Sequence, residues 1–131
     1  MHPMARRHFE KLDEKRVREP VGPNKDCEYY PCHFDGQDCT WCFCPLYPCL
    51  DEELGEWIKT KNGSEVWSCK DCHLIHRPEP AKVLLRELLS VGNGSVLRGA
   101  ERLEEDPELK EKVLESVKRA DRKHRQHSSR R

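Results

Sequence analysis

The sequence predicts an α+β chain: a small irregular module stapled through its cysteines and carrying a short hairpin, followed by two or three helices. Three observations predict it. All eight Cys of the 131 residues fall between Cys27 and Cys72. The same stretch holds every Trp and Tyr and is broken by Pro31, Pro45 and Pro48, which favours turns over long elements. Apolar residues recur at helical spacing mainly beyond Pro80. Leu, Ile, Val and Phe together make up about a fifth of the chain, the borderline at which burial offsets ordering entropy. A core this modest supports one domain and leaves the cysteine stretch in need of cross-links or metal.

Taken in order, residues 1–26 form an N-terminal charged arm. Phe9, Leu12 and Val17 give it only a thin apolar stripe, expected to be a frayed helix, and Pro20-Val21-Gly22-Pro23 stops it. Residues 27–77 are the cysteine-rich module, with nine acidic against four basic residues. Within it, Asn62-Gly63 between short β-capable runs signals a hairpin over residues 55–67. Residues 78–117 are helical. Val83, Leu84, Leu85, Leu88 and Leu89 line a first helix with Pro80 in its first turn and Gly92-Asn93-Gly94 after it. A short second helix starts near Ser95 and carries Leu97, Ala100 and Leu103. A third starts at Asp106-Pro107, where Asp can cap an orphan amide, and presents Leu109, Val113, Leu114 and Val117. Residues 118–131 form a basic tail, seven Lys and Arg against Asp121, expected to be mobile beyond Arg119. No internal repeat is evident beyond the likeness of two C-x-x-C pairs.

The cysteines run Cys27-x4-Cys32-x6-Cys39-x2-Cys42-x-Cys44-x4-Cys49-x19-Cys69-x2-Cys72. A two-residue spacer folds both sulfurs toward one ion, and two such knuckles complete a tetrahedral four-thiolate zinc site. The first candidate site is therefore Cys39, Cys42, Cys69 and Cys72. Cys27, Cys32, Cys44 and Cys49 remain for a second zinc ion or a [4Fe-4S] cluster, for which the dense Cys39-x-x-Cys42-x-Cys44-Pro45 run speaks. Spacing alone leaves the division of eight sulfurs open. Fully thiolate-ligated zinc leaves no open position, so a staple for the fold is the first expectation for zinc, and redox or sensing the first for iron. His33, His73 and His76 lie beside the thiols; with two complete Cys sets they are expected around the ligands or on the surface.

The string Cys27-Glu28-Tyr29-Tyr30-Pro31-Cys32-His33-Phe34-Asp35-Gly36-Gln37-Asp38-Cys39-Thr40-Trp41-Cys42-Phe43-Cys44-Pro45-Leu46-Tyr47-Pro48-Cys49, with Trp67-Ser68-Cys69-Lys70-Asp71-Cys72 and Ile75-His76, resembles the cysteine-rich, zinc-finger-like small domain of methanogenic archaea. The resemblance covers about residues 27–77. It implies a metal-binding module, zinc or, in an anaerobe, iron–sulfur, of a family found free-standing and appended to cobalamin-biosynthesis enzymes. The matched positions are the eight Cys, and no catalytic role comes with them. The expectation is an accessory protein, not an enzyme, linked to corrinoid metabolism and acting with a protein partner.

Other classes are weaker. A redox dithiol is usually one C-x-x-C at a helix N-terminus in a βαβ fold, which this pattern lacks. The basic tail could bind nucleic acid through phosphates, but the module itself carries net negative charge and the chain as a whole none. No apolar run suits a signal peptide or membrane span, so the expected location is the cytoplasm, where clustered thiols ligate metal more readily than they pair.

Overall fold

The computed structural model describes the backbone of residues 1–69 and 72–129, with side chains up to Lys123. Its regular elements among these residues are α1 (Pro3–Glu14), β1 (Glu56–Lys59), β2 (Glu65–Ser68), a 3-10 turn (Leu74–His76), α2 (Pro78–Val91), α3 (Val96–Glu105) and α4 (Pro107–Ser129). The α+β expectation holds, with three helices after the module and a fourth before it.

That fourth helix corrects the expectation of a frayed arm. Pro3 opens α1, and His2 Nδ1 accepts the Met4 amide at 3.1 Å. Phe9 and Leu12, three residues apart on one face, are both buried. Phe9 meets the ring of Trp41 edge-on at a centroid distance of 6.2 Å. Arg16 closes the helix at φ 52°, and the Val17 amide reaches back to the Leu12 carbonyl at 3.0 Å. Asp13 then serves another helix: its carboxylate accepts the Val96 amide at 2.7 Å, the Leu97 amide at 3.1 Å and the Ser95 hydroxyl at 2.8 Å. Ser95 Oγ in turn takes the Arg98 amide at 3.0 Å, so two residues distant in sequence cap α3.

The core gathers around α2, which packs on both α3 and α4. Leu84, Leu85 and Leu88 are fully buried together with Val96, Leu103, Val113 and Val117. The helix begins at Pro78, which takes the first position where its missing N–H costs nothing, and Pro80 falls in the first turn as expected. At the α2–α3 corner the backbones nearly touch: a Cβ at Gly99 would collide with the Leu88 backbone. The third helix starts as expected, with Asp106 Oδ1 accepting the Leu109 amide at 3.2 Å.

Four polar ties fix the cysteine module on this scaffold. Trp41, wholly buried, donates its indole N–H to the Ala81 carbonyl of α2 at 3.1 Å. Arg77 makes a two-pronged pair with Asp121 of α4 at 2.6 and 3.0 Å. Lys118 of α4 lies 2.7 Å from Asp51 and 2.9 Å from Glu53. Lys110 donates to the Pro48 carbonyl at 2.9 Å. The basic stretch beyond residue 118 is thus no mobile tail at its start. Its backbone continues α4 to Ser129, Lys118 and Asp121 fasten the module, and Arg122 pairs with Glu115 at 2.9 Å. Its side chains beyond Lys123 lie outside the described residues.

The hairpin pairs Trp57 with Trp67 and Ile58 with Val66 in antiparallel register. Its turn closes by Thr60 N to Ser64 O at 2.8 Å and Gly63 N to Thr60 O at 3.0 Å. Gly63 sits at φ 83°, the left-handed conformation that explains glycine there.

Candidate metal centre

The eight cysteines are held by two copies of one local frame. Cys27-Glu28-Tyr29-Tyr30-Pro31-Cys32 and Cys44-Pro45-Leu46-Tyr47-Pro48-Cys49 both read C-x-x-Y-P-C. In both, the Tyr amide turns back to the first Cys carbonyl, at 3.0 Å for Tyr30 to Cys27 and 3.2 Å for Tyr47 to Cys44. Both Tyr–Pro bonds are cis. Each Tyr hydroxyl then reaches the segment leading into a C-x-x-C. Tyr30 accepts the Gly36 amide at 2.6 Å, just ahead of Cys39-x-x-Cys42. Tyr47 donates to the Trp67 carbonyl at 2.7 Å, just ahead of Cys69-x-x-Cys72.

This frame divides the sulfurs differently from the division first suggested by spacing. The Cys42 thiol is pushed up first by burial and then by the neighbouring sulfurs of Cys39, Cys27 and Cys32. The Cys44 thiol is pushed up to about 12, above all by burial; the Leu46 amide opposes the shift, and Cys69, Cys72 and Cys49 add to it. The sulfurs that act on Cys42 are thus those of Cys39, Cys27 and Cys32, and those that act on Cys44 are Cys69, Cys72 and Cys49, which suggests the sets Cys27, Cys32, Cys39, Cys42 and Cys44, Cys49, Cys69, Cys72. Among the described residues, neither these sets nor the expected grouping of Cys39, Cys42, Cys69 and Cys72 is drawn together as an ion-binding cluster. Each C-x-x-Y-P-C knuckle is tied by its own Tyr to the approach of the C-x-x-C that follows it, whereas spacing alone pairs the two look-alike C-x-x-C motifs.

The two tetrads differ in surroundings. Cys32 and Cys42 of the first are exposed. Cys44, Cys49 and Cys72 of the second pack against the hydrophobic core. Among the described residues no three His, Cys, Asp or Glu side chains are drawn together closely enough to hold one ion as they stand, so ligation requires the sulfurs of a tetrad to draw in. Between the tetrads lies a cavity of about 340 Å³, lined by Cys32 and Cys42 from one and by all four sulfurs of the other.

Two features fit these sulfurs to metal. Buried thiols with raised pKa are protonated and poor nucleophiles near neutral pH, and become thiolate ligands when a cation displaces the proton. The second feature is Trp67, which lines the same cavity. The residue is 4% exposed and its buried indole N–H has no partner among the described residues. Such an orphan donor costs about 1–3 kcal/mol unless an acceptor arrives, and a metal-bound thiolate is one. Zinc or an iron–sulfur cluster would be held by the four sulfurs of either set, with tetrahedral thiolate ligation stapling the fold or a cluster supplying electron transfer.

The histidines stand around the sulfurs, joining the tetrads. His33, next to Cys32, and His73, next to Cys72, approach Nδ1 to Nδ1 at 3.0 Å. The His33 ring stacks on His76 at 3.9 Å. His76 is buried and its Nδ1 donates to the Asp38 carbonyl at 3.0 Å, which leaves Nε2 unprotonated in the neutral ring. Gln37 is a residue that sequence reasoning missed. Nearly fully buried, it donates to Cys32 Sγ at 3.4 Å and accepts the His33 amide at 2.8 Å. No motif marks it; the signal that could have exposed the whole frame is the repeated C-x-x-Y-P-C.

Residues 18–94 match the family model for a cysteine-rich small domain, described as zinc-finger-like. The chain belongs to the cysteine-rich small domain family. The match extends beyond the module on both sides, taking in α2 and the turn after it. An uncharacterized protein of Methanocaldococcus jannaschii is 48% identical over 104 residues, which cover 79% of this chain and 87% of that protein. A protein named "Probable cobalt-factor III C(17)-methyltransferase" of Methanothermobacter thermautotrophicus is 39% identical over 95 residues, 72% of this chain. The chain spans only 25% of that methyltransferase's length, so the domain occurs both nearly alone and as part of a longer chain. No solved structure matches. Among the described residues no helix is long and apolar enough to cross a membrane.

Proposed function

We propose that this protein binds metal through two thiolate tetrads, Cys27, Cys32, Cys39, Cys42 and Cys44, Cys49, Cys69, Cys72, and acts as a non-catalytic accessory protein in corrinoid metabolism. The observation that supports the metal reading is the repeated frame, which ties each C-x-x-Y-P-C knuckle to the approach of one C-x-x-C. Four is the number that a structural zinc or a [4Fe-4S] cluster takes from cysteine. The corrinoid link rests on the relative named as a cobalt-factor III methyltransferase, a quarter of which corresponds to this chain. A domain that occurs both nearly alone and within such an enzyme suits a protein partner of the same chemistry.

The donor sets accommodate two zinc ions, or one cluster and one zinc. Where a cluster is bound, the core-packed tetrad with Trp67 beside it is the set that excludes solvent, a setting that tunes cluster potential. The test is metal content together with an ultraviolet–visible spectrum on protein purified without oxygen. About two zinc ions per chain in a colourless sample would give two closed thiolate sites. About four irons with a broad brown absorption would give a cluster. A folded, monodisperse chain with neither metal overturns the reading.

A further inference from the structure

We propose that the two tetrads fill cooperatively, each loaded site raising the metal affinity of the other through a joint made of His33, Gln37, Asp38, His73 and His76. The inference rests on the two-tetrad reading above and goes beyond it, because two closed sites on one chain need not influence one another.

The joint is built from residues that flank ligands of opposite sets. Cys32 belongs to the exposed tetrad and Cys72 to the enclosed one, and their immediate successors meet through ring nitrogens 3.0 Å apart. Asp38, immediately before Cys39, makes two contacts with His76 through its own backbone: its amide donates to the His76 carbonyl at 2.8 Å and its carbonyl accepts from the ring Nδ1 of His76 at 3.0 Å. Gln37 connects the same two segments, holding Cys32 Sγ and the His33 amide beside the His76 ring. Cys42 and Cys44 are separated by Phe43 alone. Drawing in the sulfurs of one tetrad, which ligation requires, therefore repositions the chain on which the other tetrad's sulfurs are mounted. Order gained at the first site is order that the second need not acquire, and that is positive coupling.

Zinc titration of the full-length, reduced, metal-free chain, followed by native mass spectrometry, reads this directly. For any two independent sites, whatever their separate affinities, about half or more of the chains carry a single ion at half-saturation. Coupling that outweighs the difference between the two intrinsic affinities predicts a one-zinc species well below half, with zero-zinc and two-zinc chains dominating; for sites of similar affinity this corresponds to at least about a tenfold rise in second-site affinity. In His33→Ala the one-zinc species should rise to half or above while the final uptake stays at two zinc ions. Since that variant could alter folding, Cys27→Ser offers a second reading. The enclosed tetrad's zinc affinity, measured against a chromophoric chelator, should fall about tenfold although none of its ligands has changed. A wild-type chain that takes up two zinc ions with the one-zinc species at or above half, together with an unchanged enclosed-tetrad affinity in Cys27→Ser, overturns the coupling and leaves the metal reading intact. A folded chain that takes up no zinc and no iron overturns both.

Discussion

The exposed and the enclosed tetrads share a frame and differ in what surrounds it. Each begins with C-x-x-Y-P-C, each Tyr hydroxyl holds the approach to a C-x-x-C, and each offers four sulfurs. In the first, the knuckle and the C-x-x-C are separated by six residues, and Cys32 and Cys42 face solvent. In the second, the separation is 19 residues and includes the hairpin, while three of its sulfurs pack against the core. The same ligand set is thereby given two different roles. The second tetrad is continuous with the packing of α2 and α4, so its metal would share its binding energy with the fold. The first is held by a loop and by polar contacts such as the Asn24 amide on Cys39 Sγ at 3.3 Å, so its loss would cost the fold less.

The sharpest way to break this contrast is to remove one ligand from each set. Cys44→Ser should lower the stability of the metal-loaded chain by about 4 kcal/mol or more, as loss of a structural metal does. Cys32→Ser should cost about 1–2 kcal/mol. Denaturant unfolding followed by far-UV dichroism checks both, and equal losses would erase the distinction. Next in size come the tyrosines. Tyr47→Phe removes a part-buried hydrogen bond to the Trp67 carbonyl and should cost about 1 kcal/mol. Tyr30→Phe, at an exposed bond, should cost about half as much or less.

The smallest effect expected is a pH dependence of the metal-free chain. Burial, above all, holds His8, His33 and His76 below the usual histidine value of 6.5. Below that pH the unfolded chain binds protons that the folded chain does not, so stability is fully present above pH 6.5 and falls as the solution is acidified through and below it. Denaturation midpoints at pH 7.5 and 5.5 would show the sign; a higher midpoint at pH 5.5 would contradict it.

Much of this was legible in advance. The eight cysteines announce the site, Asn62-Gly63 the hairpin, and Ser95 and Asp106 the starts of α3 and α4, because caps, turns and knuckles are local chemistry. The packing of α1 was not legible. Two buried side chains give a weak stripe, and what makes the helix part of the core is the ring of Trp41 and the service of Asp13 to α3, both contacts between distant segments. The frame around the sulfurs was hidden for a related reason. C-x-x-C is the more familiar signal, yet Tyr30 and Tyr47, the third residue after Cys27 and Cys44, decide which knuckle meets which pair. Lys118 illustrates the same limit: counted as part of a basic tail, it is engaged by Asp51 and Glu53 of the module.

The most direct test of the tetrad assignment is to disable one knuckle and ask which sulfurs go free. The double variant Cys27→Ser/Cys32→Ser would be loaded with zinc and alkylated with iodoacetamide, and the labelled cysteines located by peptide mass spectrometry. The assignment predicts label on Cys39 and Cys42, with Cys44, Cys49, Cys69 and Cys72 protected. Label on Cys44 and Cys49, with Cys39, Cys42, Cys69 and Cys72 protected, would contradict it and restore the pairing of the two C-x-x-C motifs.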